Sequence, residues 1–222
     1  MLDLIVLDVN ETLFGLEPVA ERMAQIGLDG GFELWFARVL RDGIAAAATD
    51  RFVSFAALAH HHLYVLLDER GLTEGGEAAV EHVLAGFEEL RPHPDVEPGL
   101  RVLQASGVQV VALTNGSAAR TRALLERGGL DSYVAGVHDA GEVDRFKPHV
   151  ATYRRVLDRY AARPSHSAMV AVHPWDLLGA QRAGLLTGWL NRERRRDAGP
   201  LLHPDVEAAD LPALGRLLLA RP

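Results

Sequence analysis

Asp8 closes a short apolar run, Leu4-Ile5-Val6-Leu7, and opens the polar stretch Asp8-Val9-Asn10-Glu11-Thr12. A side-chain carboxylate can serve as a nucleophile: it forms a covalent ester that water then opens, splitting one hard displacement into two easier steps. Such a carboxylate needs a nearby cation to keep it ionised and aimed, and Lys147 in Phe146-Lys147-Pro148 is the candidate. Thr12, Thr114 and Asn115 offer short polar groups and backbone donors for an anionic substrate group. Asp176, after Trp175, either holds Lys147 in place or helps position water. The bland alternative is that Lys147 and Asp176 are a plain ion pair.

These residues need a scaffold that brings them together. Leu4 to Leu7 is an uninterrupted apolar run, as expected of a strand buried on both faces of a parallel sheet. Similar runs cover 108–113, 168–172 and 187–190, ending at Thr114-Asn115-Gly116, His173-Pro174 and Asn191. Helical patterns lie between them at 98–106, 118–127, 149–161 and 176–183. Strand alternating with helix predicts an α/β fold with a Rossmann-like, doubly wound parallel sheet. In such sheets ligands sit beyond the carboxyl ends of the strands, which is where Asp8, Thr114, Asn115, His173 and Asp176 fall. The stretch 15–94 lacks a clear buried strand and is rich in Ala, Leu, Glu and Arg, with Leu34, Trp35, Val39 and Leu40 at helical spacing. It reads as an inserted helical cap subdomain, which leaves 1–14 and 95–222 as the core domain.

The four signals come in a fixed order: Asp8 with Thr12, then Thr114-Asn115-Gly116-Ser117, then Lys147-Pro148 with Tyr153, then Trp175-Asp176 with Gly179-Ala180 behind it. In that order the chain resembles the haloacid dehalogenase superfamily, and within it the type II 2-haloacid dehalogenases, over nearly its whole length. The resemblance implies a hydrolase with Asp8 as nucleophile and Lys147 and Asp176 as partners. Its substrate would be a short 2-haloalkanoate. Asn10, Tyr153 and Trp175 join Thr12, Thr114 and Asn115 as substrate-binding candidates. No cofactor and no metal are expected, and a homodimer is implied by analogy only.

Position 10 discriminates between branches. Superfamily phosphatases typically carry a second Asp two residues after the nucleophile, as general acid and base. Here it is Asn10, which cannot exchange a proton at neutral pH. A halide leaving group needs no protonation. The alternative is a Mg²⁺-dependent small-molecule phosphatase with Asp8, the Asn10 carbonyl and Asp176 around the metal. A further alternative is a ligand-binding homologue without turnover, motivated by Asn10, Ala171 and Phe36.

Three places depart from the dehalogenase pattern. The usual Ser and Asn before Trp-Asp are matched by Ala171 and His173. The cap arginine that would receive the halide directly after a Trp is replaced by Phe36. Arg38 and Arg41, three residues apart on one helix face, are the candidate substitutes, with solvated surface residues as the other reading. Trp35 and Phe36 read as cap packing before halide contacts. His173 is either a base that activates the hydrolytic water or a histidine that merely hydrogen-bonds at the sheet edge.

The rest of the sequence narrows the classes. The formal net charge of −7 argues against a nucleic-acid partner but not against a small anionic substrate in a locally cationic cleft. There is no cysteine, which excludes disulfides and thiolate chemistry. His60, His61 and His62 are consecutive, so on a helix they splay apart and predict no metal site. The basic stretch 192–196 reads as a solvated loop. No apolar stretch approaches the roughly 20 residues needed to cross a bilayer, so no membrane partner is expected. The start at Met1-Leu2-Asp3 lacks a cationic leader, and a cytoplasmic protein is the expectation.

Overall fold

The computed structural model describes residues 2–72 and 74–221. Its centre is β1 (Leu4–Leu7), whose four residues are all buried. The sheet continues with β2 (Gln109–Thr114), β3 (Gly136–Asp139), β4 (Ser167–Ala171), β5 (Leu186–Leu190) and β6 (Val206–Ala208). All pairs are parallel, in the order β3-β2-β1-β4-β5-β6. The chain winds away from β1 in both directions, so β1 and β4 flank the point where the winding reverses. A crevice opens there beyond the strand ends.

Strand alternation sends β1 side chains to two separate cores. Ile5 and Leu7 pack with Leu100 and Leu103 of α5 (Val96–Ala105) and with Leu211 and Leu214 of α9 (Leu211–Leu219). Leu4 and Val6 pack on the other face with Tyr153 and Val156 of α7 (Val150–Arg159) and Leu177 of α8 (Pro174–Arg182). The remaining core helix is α6 (Ala118–Arg127), capped by the Ser117 side chain. Helix α5 begins at Val96, two residues before Pro98, because a proline in the first turn removes no helical hydrogen bond.

Four helices precede α5 in the segment between β1 and β2: α1 (Glu17–Gln25), α2 (Phe32–Ala48), α3 (Phe55–Glu69) and α4 (Gly76–Leu84). Trp35 and Phe36 of α2, Phe55 of α3 and Phe87 in the turn after α4 are buried and continue the core on the α5 and α9 side of the sheet. One contact ties them to the active edge. A Cβ at Gly43 of α2 would lie 2.5 Å from the ring of Phe146, so only glycine lets α2 approach the segment that carries Lys147. Of the residues at helical spacing on this helix, Leu34 is exposed. Among the described residues no helix is long and apolar enough to cross a membrane.

Three elements lie outside the sequence expectation. Strands β3 and β6 are short and partly exposed edge strands. Helix α9 is capped by Asp210 and buries Leu211, Leu214 and Leu218 at helical spacing.

Candidate active site

Asp8 follows β1 directly, and its backbone N–H donates to the Val170 carbonyl of β4 at 3.0 Å. This puts its carboxylate at the mouth of the crevice. Both carboxylate oxygens are held: Lys147 Nζ donates to Oδ1 at 2.7 Å, and Thr12 Oγ1 donates to Oδ2 at 2.7 Å. Thr12 is fixed in turn, since the Val172 N–H donates to its hydroxyl. The Lys147 ammonium spends its other protons on the Asp176 carboxylate at 2.7 Å and the Leu113 carbonyl at 2.9 Å. Lys147 and Asp176 are almost fully buried, at 1% and 0% exposure.

The protonation states follow from these contacts. Burial alone would raise the Asp8 carboxyl, but Lys147, His173 and the Thr12 hydroxyl outweigh it and hold Asp8 below the usual carboxylate range. Burial would lower the Lys147 ammonium, and the two carboxylates raise it instead. Burial, with Asp8 adding to it, raises the Asp176 carboxyl. The result is an ionised carboxylate that water barely reaches, next to a permanent cation.

Asp176 is positioned from behind. Tyr153 on α7 donates its hydroxyl to the Asp176 carboxylate and to its backbone carbonyl. A Cβ at Gly179 would lie 2.5 Å from the Pro148 carbonyl and 2.7 Å from the Tyr153 hydroxyl. That glycine lets α8 close onto the lysine segment, which is a physical reason for the Gly179 in the motif. Tyr153, expected at the substrate, is a buried brace and does not line the cavity.

A cavity of about 20 Å³ lies against Asp8. Its polar lining is Asn10, Thr114, Asn115, Lys147 and His173; its apolar lining is Phe36, Leu40, Phe55 and Trp175. The Asn115 carboxamide oxygen accepts from the Lys147 backbone N–H at 2.7 Å. Its Nδ2 is buried and has no partner among the described residues, a donor left over for a ligand.

Arg38 and Arg41 do not reach this cavity. Arg38 pairs with Glu69 at 3.0 Å, and Arg41, 65% exposed, pairs with its neighbour Asp42. Helix phase is the reason. Phe36, Leu40, Gly43 and Ala47 form the inward stripe of α2, and positions 38 and 41 lie off it. Phe36 is therefore a cavity wall as well as a packing residue, while Trp35 is buried and donates its indole N–H to the Ala59 carbonyl.

His173 stacks on Trp175 with ring centroids 5.3 Å apart, and its Nε2 lies 3.0 Å from a carboxylate oxygen of Glu11. Burial alone would lower this imidazole, but Glu11, Asp8 and Asp176 together raise it above its ordinary value. Sequence reasoning did not single out Glu11, Leu40 or Phe55. It also read Arg192 as solvated. That guanidinium is instead largely enclosed, clamping both carboxylate oxygens of Asp95 and donating to the Glu11 carbonyl at 3.1 Å.

In this arrangement the carboxylates that would face a divalent cation are already occupied. Both Asp176 oxygens are engaged, one by Lys147 and one by Tyr153, and the Lys147 ammonium already lies between the two carboxylates. Among the described residues no three His, Asp or Glu side chains converge on one point. His60 and His62 face different partners, Glu77 and Asp42.

A family model described as haloacid dehalogenase-like hydrolase matches residues 2–184. The chain is 28% identical to (S)-2-haloacid dehalogenase 4A of Burkholderia cepacia over 145 residues, 65% of this chain and 58% of that protein. It is 24% identical to (S)-2-haloacid dehalogenase 2 of Pseudomonas sp. (strain CBS-3), covering 96% of this chain and 94% of that protein. It is also 25% identical to glyceraldehyde 3-phosphate phosphatase of Methanopyrus kandleri, covering 93% and 91%. The fold superposes with a TM-score of 0.88 on the L-2-haloacid dehalogenase of Xanthobacter autotrophicus with chloropropionic acid covalently bound, at 20% identity and with all of both chains covered.

Proposed function

The chain belongs to the haloacid dehalogenase-like hydrolases, and from that premise we propose that it hydrolyses short 2-haloalkanoates to 2-hydroxy acids through an ester on Asp8. One observation carries this reading. Asp8 is ionised and held at both oxygens beside a small, partly apolar cavity, and the residue two positions on is Asn10, which cannot protonate a leaving group. A halide departs with its electron pair and asks for no proton.

The substrate carboxylate takes the free donor of Asn115. Asp8 attacks the halogen-bearing carbon; the new C–O bond forms as the C–X bond breaks, and the halide leaves along the wall of Phe36, Leu40, Phe55 and Trp175. Water then attacks the Asp8 carboxyl carbon. His173 takes one proton from that water and returns it to the departing alkoxide of the hydroxy acid. The other proton passes from the Asp8 carboxyl to solvent, and the neighbouring ammonium favours the ionised carboxylate that remains. Arg38 and Arg41 take no part. The residues that act are the core domain, 1–14 and 95–222; the cap, 15–94, shapes the cavity.

A phosphatase is the second reading, favoured by the similarity to the Methanopyrus kandleri protein. A panel of 2-haloalkanoates and phosphate esters, each with EDTA or with Mg²⁺, separates the two. Halide release unaffected by EDTA supports dehalogenation. Mg²⁺-dependent phosphate release with no halide release overturns it.

A further inference from the structure

His173 has a partner that the family resemblance does not supply. Glu11 lies in the loop after β1, and its carboxylate reaches Nε2 of His173 at 3.0 Å. The backbone there is strained: Glu11 has φ of 61°, a left-handed conformation uncommon for residues other than glycine. Two side chains from separate loops hold it. His93 Nε2 donates to the Glu11 carbonyl at 3.0 Å and Arg192 Nη1 donates to the same oxygen at 3.1 Å. Arg192 is itself anchored on Asp95, which also accepts from the N–H of Leu211 at the start of α9. A strained residue fixed from several elements suits a positioning task better than a surface loop.

The pair also sits at a boundary. A second cavity of about 270 Å³ is lined by Glu11, Glu17, His93, Asn191 and Arg192, among others. Among the described residues, His173 is the one that lines both this cavity and the small one at Asp8. The larger cavity is polar and has room for several waters, at roughly 30 Å³ each in the liquid.

We propose that Glu11 is a positioning residue for His173: its carboxylate engages Nε2 and so leaves Nδ1 as the base for water drawn from the larger cavity. This rests on the reading of His173 as the hydrolytic base. A neutral imidazole carries one N–H, and a carboxylate partner fixes which nitrogen bears it. Three carboxylates act on the ring: Glu11 and Asp8 from the β1 loop and Asp176 from α8. The Lys147 ammonium lines the same small cavity, and Phe36 of α2 brings no charge. Removing the Glu11 charge leaves a less basic imidazole with no fixed tautomer.

The test follows ester formation and ester hydrolysis separately, by quenched-flow mass spectrometry with 2-chloropropionate. Glu11→Gln should form the Asp8 ester within about threefold of the wild-type rate. Its hydrolysis plateau should fall at least about tenfold, and the acidic limb of the hydrolysis profile should move down by about one pH unit. Glu11→Gly, which suits the left-handed backbone, should fold and show the same plateau loss and the same limb shift. Glu11→Asp should recover part of the plateau. Hydrolysis with wild-type rate and pH profile in the Gln and Gly variants overturns the role of Glu11. So does an equal loss in both steps with an unmoved limb, which is the mark of a purely structural residue. Failure of the wild-type protein to form any ester overturns the parent reading instead.

Discussion

The two walls of the small cavity are built from opposite materials. The sheet edge contributes Asp8 and Lys147, backed by Thr12 and Asp176 behind the lining, a buried set in which each charged group has at least two partners. The helices between β1 and β2 contribute Phe36, Leu40 and Phe55, with their arginines turned to other partners. A buried charge is costly unless it is paired, so the polar wall has almost no freedom to vary. An apolar wall needs only the right volume and can change with the substrate. On the proposed reading, chemistry and selectivity therefore fall to different parts of the chain.

The sharpest way to break this division is Asp8→Asn. An amide is a poor nucleophile, so turnover should fall more than about a thousandfold, a barrier increase above roughly 4 kcal/mol, with the fold intact by circular dichroism. Near-full activity without deamidation back to Asp would end the account.

His173→Ala tests the second half of the reaction on the same wall. A placed base contributes about 10²–10⁴-fold to water attack, so the variant should release one equivalent of halide in a burst and then stall. The wild-type pH profile has a matching sign. Because the fold raises the imidazole, His173 is more protonated near neutrality than a free histidine. Ester hydrolysis should rise with pH through that raised value, whereas ester formation, which needs only the depressed Asp8 carboxylate, should stay flat.

The apolar wall should respond differently. Phe36→Leu widens the cavity and should change the ratio of kcat/KM for 2-chloropropionate over chloroacetate by about tenfold, the range expected for one methylene, while the Asp8 ester still forms. A change in hydrolysis rate with no change in selectivity would blur the division. The smallest effect is expected from Arg38→Ala and Arg41→Ala, each within about twofold of wild type in kcat/KM, as for surface positions away from the site. A tenfold loss in either would bring a cap cation back into the reaction.

Much of the site was legible because Asp8, Thr114, Asn115 and His173 fall at or just past the ends of uninterrupted apolar runs, whereas Lys147 was legible only from its motif. Strands β1, β2, β4 and β5 gave that signal; β3 and β6 did not, being edge strands of three or four residues with polar positions. Helix α9 carried a visible signal in Asp210 and the spacing of Leu211, Leu214 and Leu218. The site residues missed were those whose roles depend on tertiary placement. Nothing local tells that Glu11 meets His173, or that Arg192 turns inward to Asp95. The Arg38 and Arg41 expectation failed on helix phase, which Trp35, Val39 and Gly43 together define. Tyr153 was found by motif, but its direction, toward Asp176 instead of the substrate, is set by how α7 packs on α8.

The central claim is that the Asp8 carboxyl is the atom group on which water acts. A single turnover in ¹⁸O-water with excess protein, read by mass spectrometry of the Asp8 peptide and of the hydroxy acid, tests it directly. The account predicts one heavy oxygen on Asp8 and none from solvent in the product hydroxyl. A labelled product hydroxyl with unlabelled Asp8 would mean that water attacks the substrate itself, and would contradict it.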